Sequence, residues 1–471
     1  MGKLTQPRLP WNMLPVILSL AWPTMLEQLM QTAVQYIDTA MVGTLGTQAT
    51  AAVGSTTTVN WLIGSTISAV SVGFLAYISQ ACGAGQHDKA KRASSQAALA
   101  VLVLGMFFTA VTLGFSRLIP RWMQVDPAIR DTAATYFFIL YSPMLFRTAT
   151  IIFGTVLRAV GDTKTPMFAG LWVNLINVVL NALLIFPSRT ITVLGVTIHA
   201  WGADMGVVGA ALASAIAFAA GGIIITVKLL RHPLISPVGG SLKPDMEVLR
   251  PCLKVALPNC MQRFATSFGY VVFATMINSL GDIATAAHAI ANTVESAFYI
   301  PGYGMQTAAA TLAGNAWGAR DKQRIKDLTT MILWIEVGLM VLSGGLLFAF
   351  APQMMALFSK EAQVILLGAT VLQMVAVSEP FYGVSIIIEG MMQGMGNTRL
   401  PLIFNIAGMW GIRILGTYIC TQLLGMGLIS AWACMIGHNL LLFSAFTFLS
   451  ATNKHIPKEK TRSVCEVTPK S

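Results

Sequence analysis

The chain has 471 residues, of which 55% are hydrophobic and only 10% charged; mean hydropathy is +0.69 and net charge +11. Soluble domains carry about 25% charged residues, so a soluble enzyme, a disulfide-rich secreted scaffold and a disordered chain are excluded together. What remains is an all-α polytopic membrane protein. Its basic excess must be tested as a topology signal before a nucleic-acid partner is invoked.

Apolar runs bounded by charge or by Gly and Pro predict twelve spans, at 14–43, 50–80, 93–118, 132–157, 166–187, 206–230, 251–280, 285–313, 327–350, 362–392, 400–422 and 426–450. Each reaches the roughly 20 residues that a crossing needs. No signal-peptide cleavage pattern precedes the first run, so it is read as a retained span. With both termini inside, 22 of the 30 Lys and Arg fall on inner segments, five on outer ones, and three (Arg147, Arg263, Arg413) within spans. That bias orients the chain with cytoplasmic termini in a plasma (inner) membrane and accounts for the charge without nucleic acid. The segments are then a cytoplasmic N-terminus (1–13), an N-lobe (14–230), a cytoplasmic linker rich in Pro and Gly (231–250), a C-lobe (251–450) and a basic cytoplasmic tail (451–471). On the outer side, 191–198 has β-branched runs flanking Leu-Gly and predicts a small hairpin. The six cysteines show no CxxC spacing and read as small core hydrophobes.

A shift of 235 residues lays one half on the other: Pro23 on Pro258, Gly46 on Gly281, Gly83 on Gly318, Gly161 on Gly396 and Pro166 on Pro401. One constant register over that length indicates an internal duplication. Six spans per half is an even number, so the halves enter the membrane in the same direction, as two pseudo-symmetric six-helix bundles. Facing bundles of this kind enclose a cleft that opens alternately to either side, which is transporter architecture.

An ionisable side chain at mid-bilayer costs about 2.5–3.5 kcal/mol on insertion scales and needs a reason. In the first span Glu27, Gln31, Gln35 and Asp38 follow spacings of 4, 4 and 3 and share one helical face. This stripe is either a buried hydrogen-bonded seam or the wall of an aqueous cleft. Pro23 in the same span and Pro258 in the seventh each remove a backbone hydrogen bond, making candidate hinges or static kinks. Asn174, Asn177 and Asn181 line one face of the fifth span. Their amides suit a hard-oxygen site for Na⁺, a net tuning a proton-binding acid, or plain interhelical bonding. Glu295 and Glu389 have no acidic counterpart in the first half and face either the cleft or an ion pair, with Arg263 as a partner. Glu336 and Glu379 are placed near an interface, as solvated helix ends. The many Met and aromatic residues suit lipid, core and an adaptable apolar cleft. Zincin, nucleophile-elbow, Walker-A and dinucleotide-binding patterns are not found, and an enzyme is not expected.

The runs Asp38-Thr-Ala-Met-Val-Gly-Thr-Leu-Gly46, Leu157-Arg-Ala-Val-Gly-Asp-Thr-Lys-Thr-Pro166 and Gly206-Val-Val-Gly-Ala-Ala-Leu-Ala-Ser214 resemble the multidrug and toxic compound extrusion (MATE) family, over about residues 13–450. The resemblance implies a V-shaped, twelve-helix, monomeric exporter that expels organic cations and other drugs in exchange for Na⁺ or H⁺, with no other cofactor. It carries the family's N-lobe cation site onto Asp38, Asn177, Asn181 and Ser214, with Asp38 as the Na⁺ ligand if Na⁺ is the ion. The C-lobe acids of one branch are replaced here by Thr266 and Tyr382. That shifts the expected coupling centre to Asp38 and leaves Glu27, Gln31, Gln35, Glu295, Glu389 and Tyr382 as cleft or substrate candidates. The alternative within the same superfamily, a flippase for lipid-linked saccharides, would need a strongly basic cleft, whereas the spans hold six acids and three arginines.

Overall fold

The computed structural model of the protein describes residues 11–123, 125–193 and 196–457, with side chains there except at 47, 55–58 and 189–200. The expected N-terminal segment up to residue 10 and the basic tail from 458 lie outside the described residues.

Helices follow one another with tight turns. The N-terminal half holds α1 (Leu14–Gly43), α2 (Thr47–Gly83), α3 (His87–Gly114), the short α4 (Ile119–Trp122), α5 (Arg130–Tyr141), α6 (Met144–Ala159) and α7 (Lys164–Leu184). Strands β1 (Pro187–Val193) and β2 (Val196–Ala203) come next, before α8 (Gly206–Leu230). The C-terminal half holds α9 (Met246–Asn278), α10 (Asp282–Gly318), α11 (Lys322–Phe358) and α12 (Ala362–Gly394). It ends with α13 (Arg399–Ile406), α14 (Leu415–Tyr418) and α15 (Leu428–Ala451). The segments Ala407–Ile414 and Ile419–Leu423 are π-helical and join α13 and α14 into one rod.

Counting α5 with α6 and α13 with α14, and leaving aside the four-residue α4, the described residues form twelve rods. Nine helices among them are long and apolar enough to cross a membrane, and the α5–α6 pair, bent by 48°, makes a tenth. The remaining two, α9 and α10, are as long but more polar. Their polar residues build the site described below. At 1.5 Å per residue, 37-residue helices such as α2 span about 55 Å, well beyond the ~30 Å hydrocarbon core. They therefore tilt or project past it.

The duplication is visible in the backbone. Helix α1 ends at Gly43 and α9 at Asn278; α2 runs from 47 to 83 and α10 from 282 to 318, all offset by 235. The turn glycines repeat too, Gly46 at φ +106° with Gly281 at +100°, and Gly161 at +89° with Gly396 at +81°. Only glycine occupies such φ values without strain, which fixes these turns chemically. The hairpin has no counterpart in the second half. Its antiparallel register pairs Ile191 with Ile198, as the sequence suggests, and its tip lies outside the described residues.

Each half has its own buried core. In the first, Phe137, Tyr141, Ile152 and Leu157 pack with Phe74 and Ile78; in the second, Phe273, Leu347 and Leu372 pack with Trp432. A further cluster crosses between halves, setting Ile17 and Ala21 of α1 against Met305, Ala309 and Ile332.

The lobes meet along a seam of α1 and α2 against α9 and α10. Glycines allow the approach. Gly73 faces the Cys252 backbone, Gly83 faces Asn315, Gly318 faces Gln80, and Gly304 faces Met25. Gln80 Nε2 donates to the Gly394 carbonyl at 2.9 Å, and Thr24 Oγ1 to that of Gly304 at 2.8 Å. All four glycines lie in the half of their helix nearer the α2–α3 and α10–α11 turns. Those turns are on the same side as the 231–245 linker and the first and last described residues. The lobes are thus in contact on the terminus side.

Candidate functional site

In the first lobe, α1, α7 and α8 bring four polar side chains together. Asn177 and Asn181, one turn apart on α7, are 5% and 1% exposed, and Ser214 on α8 is 9% exposed. Asn181 Nδ2 donates to Asp38 Oδ1 at 2.5 Å. In the amide orientation that suits Asp38 and Ser214, Asn177 donates to Asp38 Oδ1 at 2.6 Å and accepts from Ser214 Oγ at 3.1 Å, giving up the 3.1 Å bond that Asn181 Nδ2 donates to Asn177 Oδ1 in the opposite orientation. Asn181 Oδ1 is buried and has no hydrogen-bond partner. This leaves an orphaned oxygen beside a carboxylate and a hydroxyl. The donor set fits a hard cation such as Na⁺, and it equally fits a proton on Asp38.

The polar stripe of α1 divides in three. Asp38 belongs to the cluster. Glu27 is held by Arg158 of α6, whose Nη2 lies 2.5 and 2.7 Å from the two carboxylate oxygens. Gln31 and Gln35 are exposed between them. Pro23 and Pro258 both lie inside unbroken helices, α1 and α9.

The second lobe holds a cavity of about 170 Å³ between α9, α10, α12 and α15. Glu295, Glu389 and Tyr382 all line it, as does Thr266. Glu389 accepts from three neutral amides, Gln262 at 2.8 Å, Gln393 at 3.0 Å and Asn405 at 3.1 Å. The Tyr382 hydroxyl lies 3.0 Å from that of Tyr303. Tyr299 packs edge-on against both rings at centroid distances of 5.8 and 5.9 Å. The expected pairing of Arg263 with an acid does not occur: among the described residues no ion pair joins it to Glu295 or Glu389. The amides around Glu389 have taken that role.

Several polar groups of this lobe were not singled out in the sequence. Arg413, His438, Asn259 and Gln262 line the cavity. A signal for it existed: Glu295, Tyr299, Tyr303 and Gln306 repeat on α10 the 4, 4, 3 spacing of the α1 stripe. Glu336 and Glu379 are 0% and 1% exposed and are not solvated helix ends. Glu336 sits against Gly302 and Gly383 with neither oxygen bonded, deep between α10, α11 and α12.

The MatE family profile matches residues 23–183 and again 258–419, two copies set by the same 235-residue shift. The chain belongs to the MATE family of transporters. A "Probable multidrug resistance protein NorM" of Thermotoga maritima is 25% identical over 420 residues, covering 89% of this chain and 88% of that protein. The "Multidrug export protein MepA" of Staphylococcus aureus is 24% identical over 376 residues, 79% of each chain. Among solved structures, an outward-facing multidrug resistance MATE transporter superposes with a TM-score of 0.85 at 22% identity, covering 93% of this chain and 95% of that one. The fold is therefore the two-lobed MATE fold, and this MATE chain is a membrane transporter rather than an enzyme.

Proposed function

We propose that this MATE chain is a secondary-active multidrug exporter that exchanges inward Na⁺ or H⁺ for outward amphipathic and cationic organic compounds. It works as a monomer in the inner membrane, with both termini cytoplasmic. The observation that carries the reading is the Asp38–Asn177–Asn181–Ser214 cluster, a carboxylate with buried amides and a hydroxyl around it and one amide oxygen left unbonded. The names of the NorM and MepA relatives support drug efflux.

In this reading the seam is the closed cytoplasmic gate, and the cleft faces outward with Gln31 and Gln35 on its wall. Cation entry to Asp38 draws α1 toward α7 and α8 and favours one arrangement of the lobes; drug binding favours the other. Pro23 and Pro258, at equivalent places in the repeat, provide the bending points. For an uncharged substrate, a cation entering with one charge contributes about 2.3 kcal/mol per 100 mV, enough for about a 50-fold gradient; exchange for a monovalent cation moves no net charge and draws on the ion's concentration gradient alone. The test is efflux by the purified protein in liposomes under imposed Na⁺ or pH gradients. Substrate movement driven by one of these gradients supports the reading, and the responding gradient names the ion. Movement indifferent to both contradicts it.

A further inference from the structure

The C-lobe cavity is lined by polar atoms without hydrogen-bond partners. Arg413 is 3% exposed, and its guanidinium lies over the rings of Phe273 at 4.3 Å and Tyr270 at 4.6 Å. Its Nε has no hydrogen-bond partner, nor has that of Arg263 on the facing helix α9. On the same walls Asn259 Nδ2 and both ring nitrogens of the buried His438 are also without partners. A buried donor left unmade costs about 1–3 kcal/mol, so a cluster of them around one space calls for an occupant. Aromatic stacking satisfies the flat faces of the Arg413 guanidinium and leaves its N–H edge free.

Acids balance the arginines. Glu295 is 6% exposed and makes no ion pair among the described residues. Glu389 is occupied by its three amides. With both carboxylates ionised, two guanidiniums and two carboxylates sum to zero, so a guest with net charge of either sign would leave an uncompensated charge in a half-buried space. A guest carrying both signs would not. The aromatic wall of Tyr299, Tyr303 and Tyr382 offers edges and faces to a flat ring. At about 170 Å³ the cavity is roughly six times the ~30 Å³ share of one water, room for a single ring with short polar arms.

We propose that this cavity binds a small zwitterion built on one aromatic ring, its carboxylate held by Arg413 and Arg263 and its ammonium by Glu295. The assignment deepens the reading of the chain as a small-molecule exporter, and rests on it, by naming a substrate class for the C-lobe.

The test is equilibrium binding to the full chain in lipid nanodiscs, with three isosteric probes: 4-(aminomethyl)benzoic acid as zwitterion, 4-methylbenzylamine as cation and 4-methylbenzoic acid as anion. The zwitterion is expected to bind at least about tenfold tighter than either relative, a difference of about 1.4 kcal/mol. Arg413→Gln is expected to reduce it to the level of the amine, and Glu295→Gln to the level of the benzoate. If Arg413→Gln fails to fold, Arg263→Gln replaces it, with the same direction of loss. Equal or tighter binding of the amine, binding unchanged in both the arginine and Glu295 variants, or no binding of any probe overturns the assignment. The measurement uses no ion gradient, so its failure leaves coupled export standing. Conversely, loss of gradient-driven transport with intact zwitterion binding removes the export reading and leaves the site.

Discussion

Glu27 of α1 and Arg158 of α6 form an ion pair in which one nitrogen, Nη2, lies 2.5 and 2.7 Å from the two carboxylate oxygens, with side chains only 20% and 17% exposed. The backbone carbonyl of Arg158 also accepts from Thr311 Oγ1 of α10 at 3.3 Å, so the pair stands beside the seam between lobes. Removing one partner strands a largely desolvated charge, which costs more than an exposed pair does.

Glu27→Gln is therefore expected to destabilise the protein by an amount between the about 0–1 kcal/mol of an exposed pair and the about 3–5 kcal/mol of a fully buried one, read as a lower Tm of the detergent-solubilised chain. Adding Arg158→Gln should restore part of the loss. A double variant less stable than the sum of the single ones would contradict a direct pairwise interaction.

Gly304 is a second point where the seam depends on one atom. A Cβ there would lie 2.6 Å from the backbone nitrogen and Cα of Met25, closer than side-chain adjustment can relieve. Gly304→Ala should push the lobes apart on the terminus side and slow transport. In a background without native cysteines, Asn315→Cys, facing Gly83 in the seam, should react with a maleimide faster when Gly304→Ala is present. Equal labelling would show that the contact does not hold the gate.

The linker offers a contrast between two kinds of polar contact. Arg92 pairs with Asp245 and Glu247, but its side chain is 51% exposed. Gln96 is 2% exposed; it donates to the carbonyl of Lys243 at 2.9 Å and accepts from the Asp245 amide at 3.0 Å. Exposed pairs contribute about 0–1 kcal/mol, whereas a buried amide that closes two backbone groups leaves both unsatisfied when removed. Gln96→Ala is expected to expose residues 231–245 to limited proteolysis, and Arg92→Ala to have little effect.

His232 begins that linker, outside the membrane-spanning helices. Burial pushes its imidazole below the ordinary 6.5, against the opposing pull of Asp162. Its Nδ1 accepts from the Leu234 amide at 3.3 Å, which requires the neutral ring. A lowered folded pKa contributes stability that is present above the unfolded value and lost as pH falls toward the folded one. Amide exchange at residues 231–236, corrected for its intrinsic fall with decreasing pH, should accelerate as pH drops from about 7.5 to about 5.5, and His232→Gln should flatten that dependence. Acceleration unchanged by the substitution would place the switch elsewhere.

Local periodicity made much of this architecture legible. Gly46 and Gly281 need positive φ, so the repeat's register survives directly from sequence to backbone. Asn177 and Asn181 share a face because helices turn every 3.6 residues, and a resemblance of motifs tied them to Asp38 and Ser214. Glu336 and Glu379 stand near the middle of the predicted spans 327–350 and 362–392, so position in the span argued for burial and the expectation of solvated ends rested on their charge alone. The C-lobe cavity was hidden for another reason. Arg413 lies on a π-helical stretch whose changed pitch shifts the faces that a regular helix would present. His438, Arg263 and Glu295 meet it only through packing of distant helices.

The most direct test of the central claim is Asp38→Asn in the purified protein, reconstituted in liposomes with ethidium as substrate and the coupling gradient imposed. The substitution keeps size and hydrogen bonding but removes the titratable, cation-ligating oxygen pair. The account predicts a well-folded protein whose gradient-driven ethidium transport falls to the protein-free background while ethidium binding persists. Gradient-driven transport at the wild-type rate would contradict it.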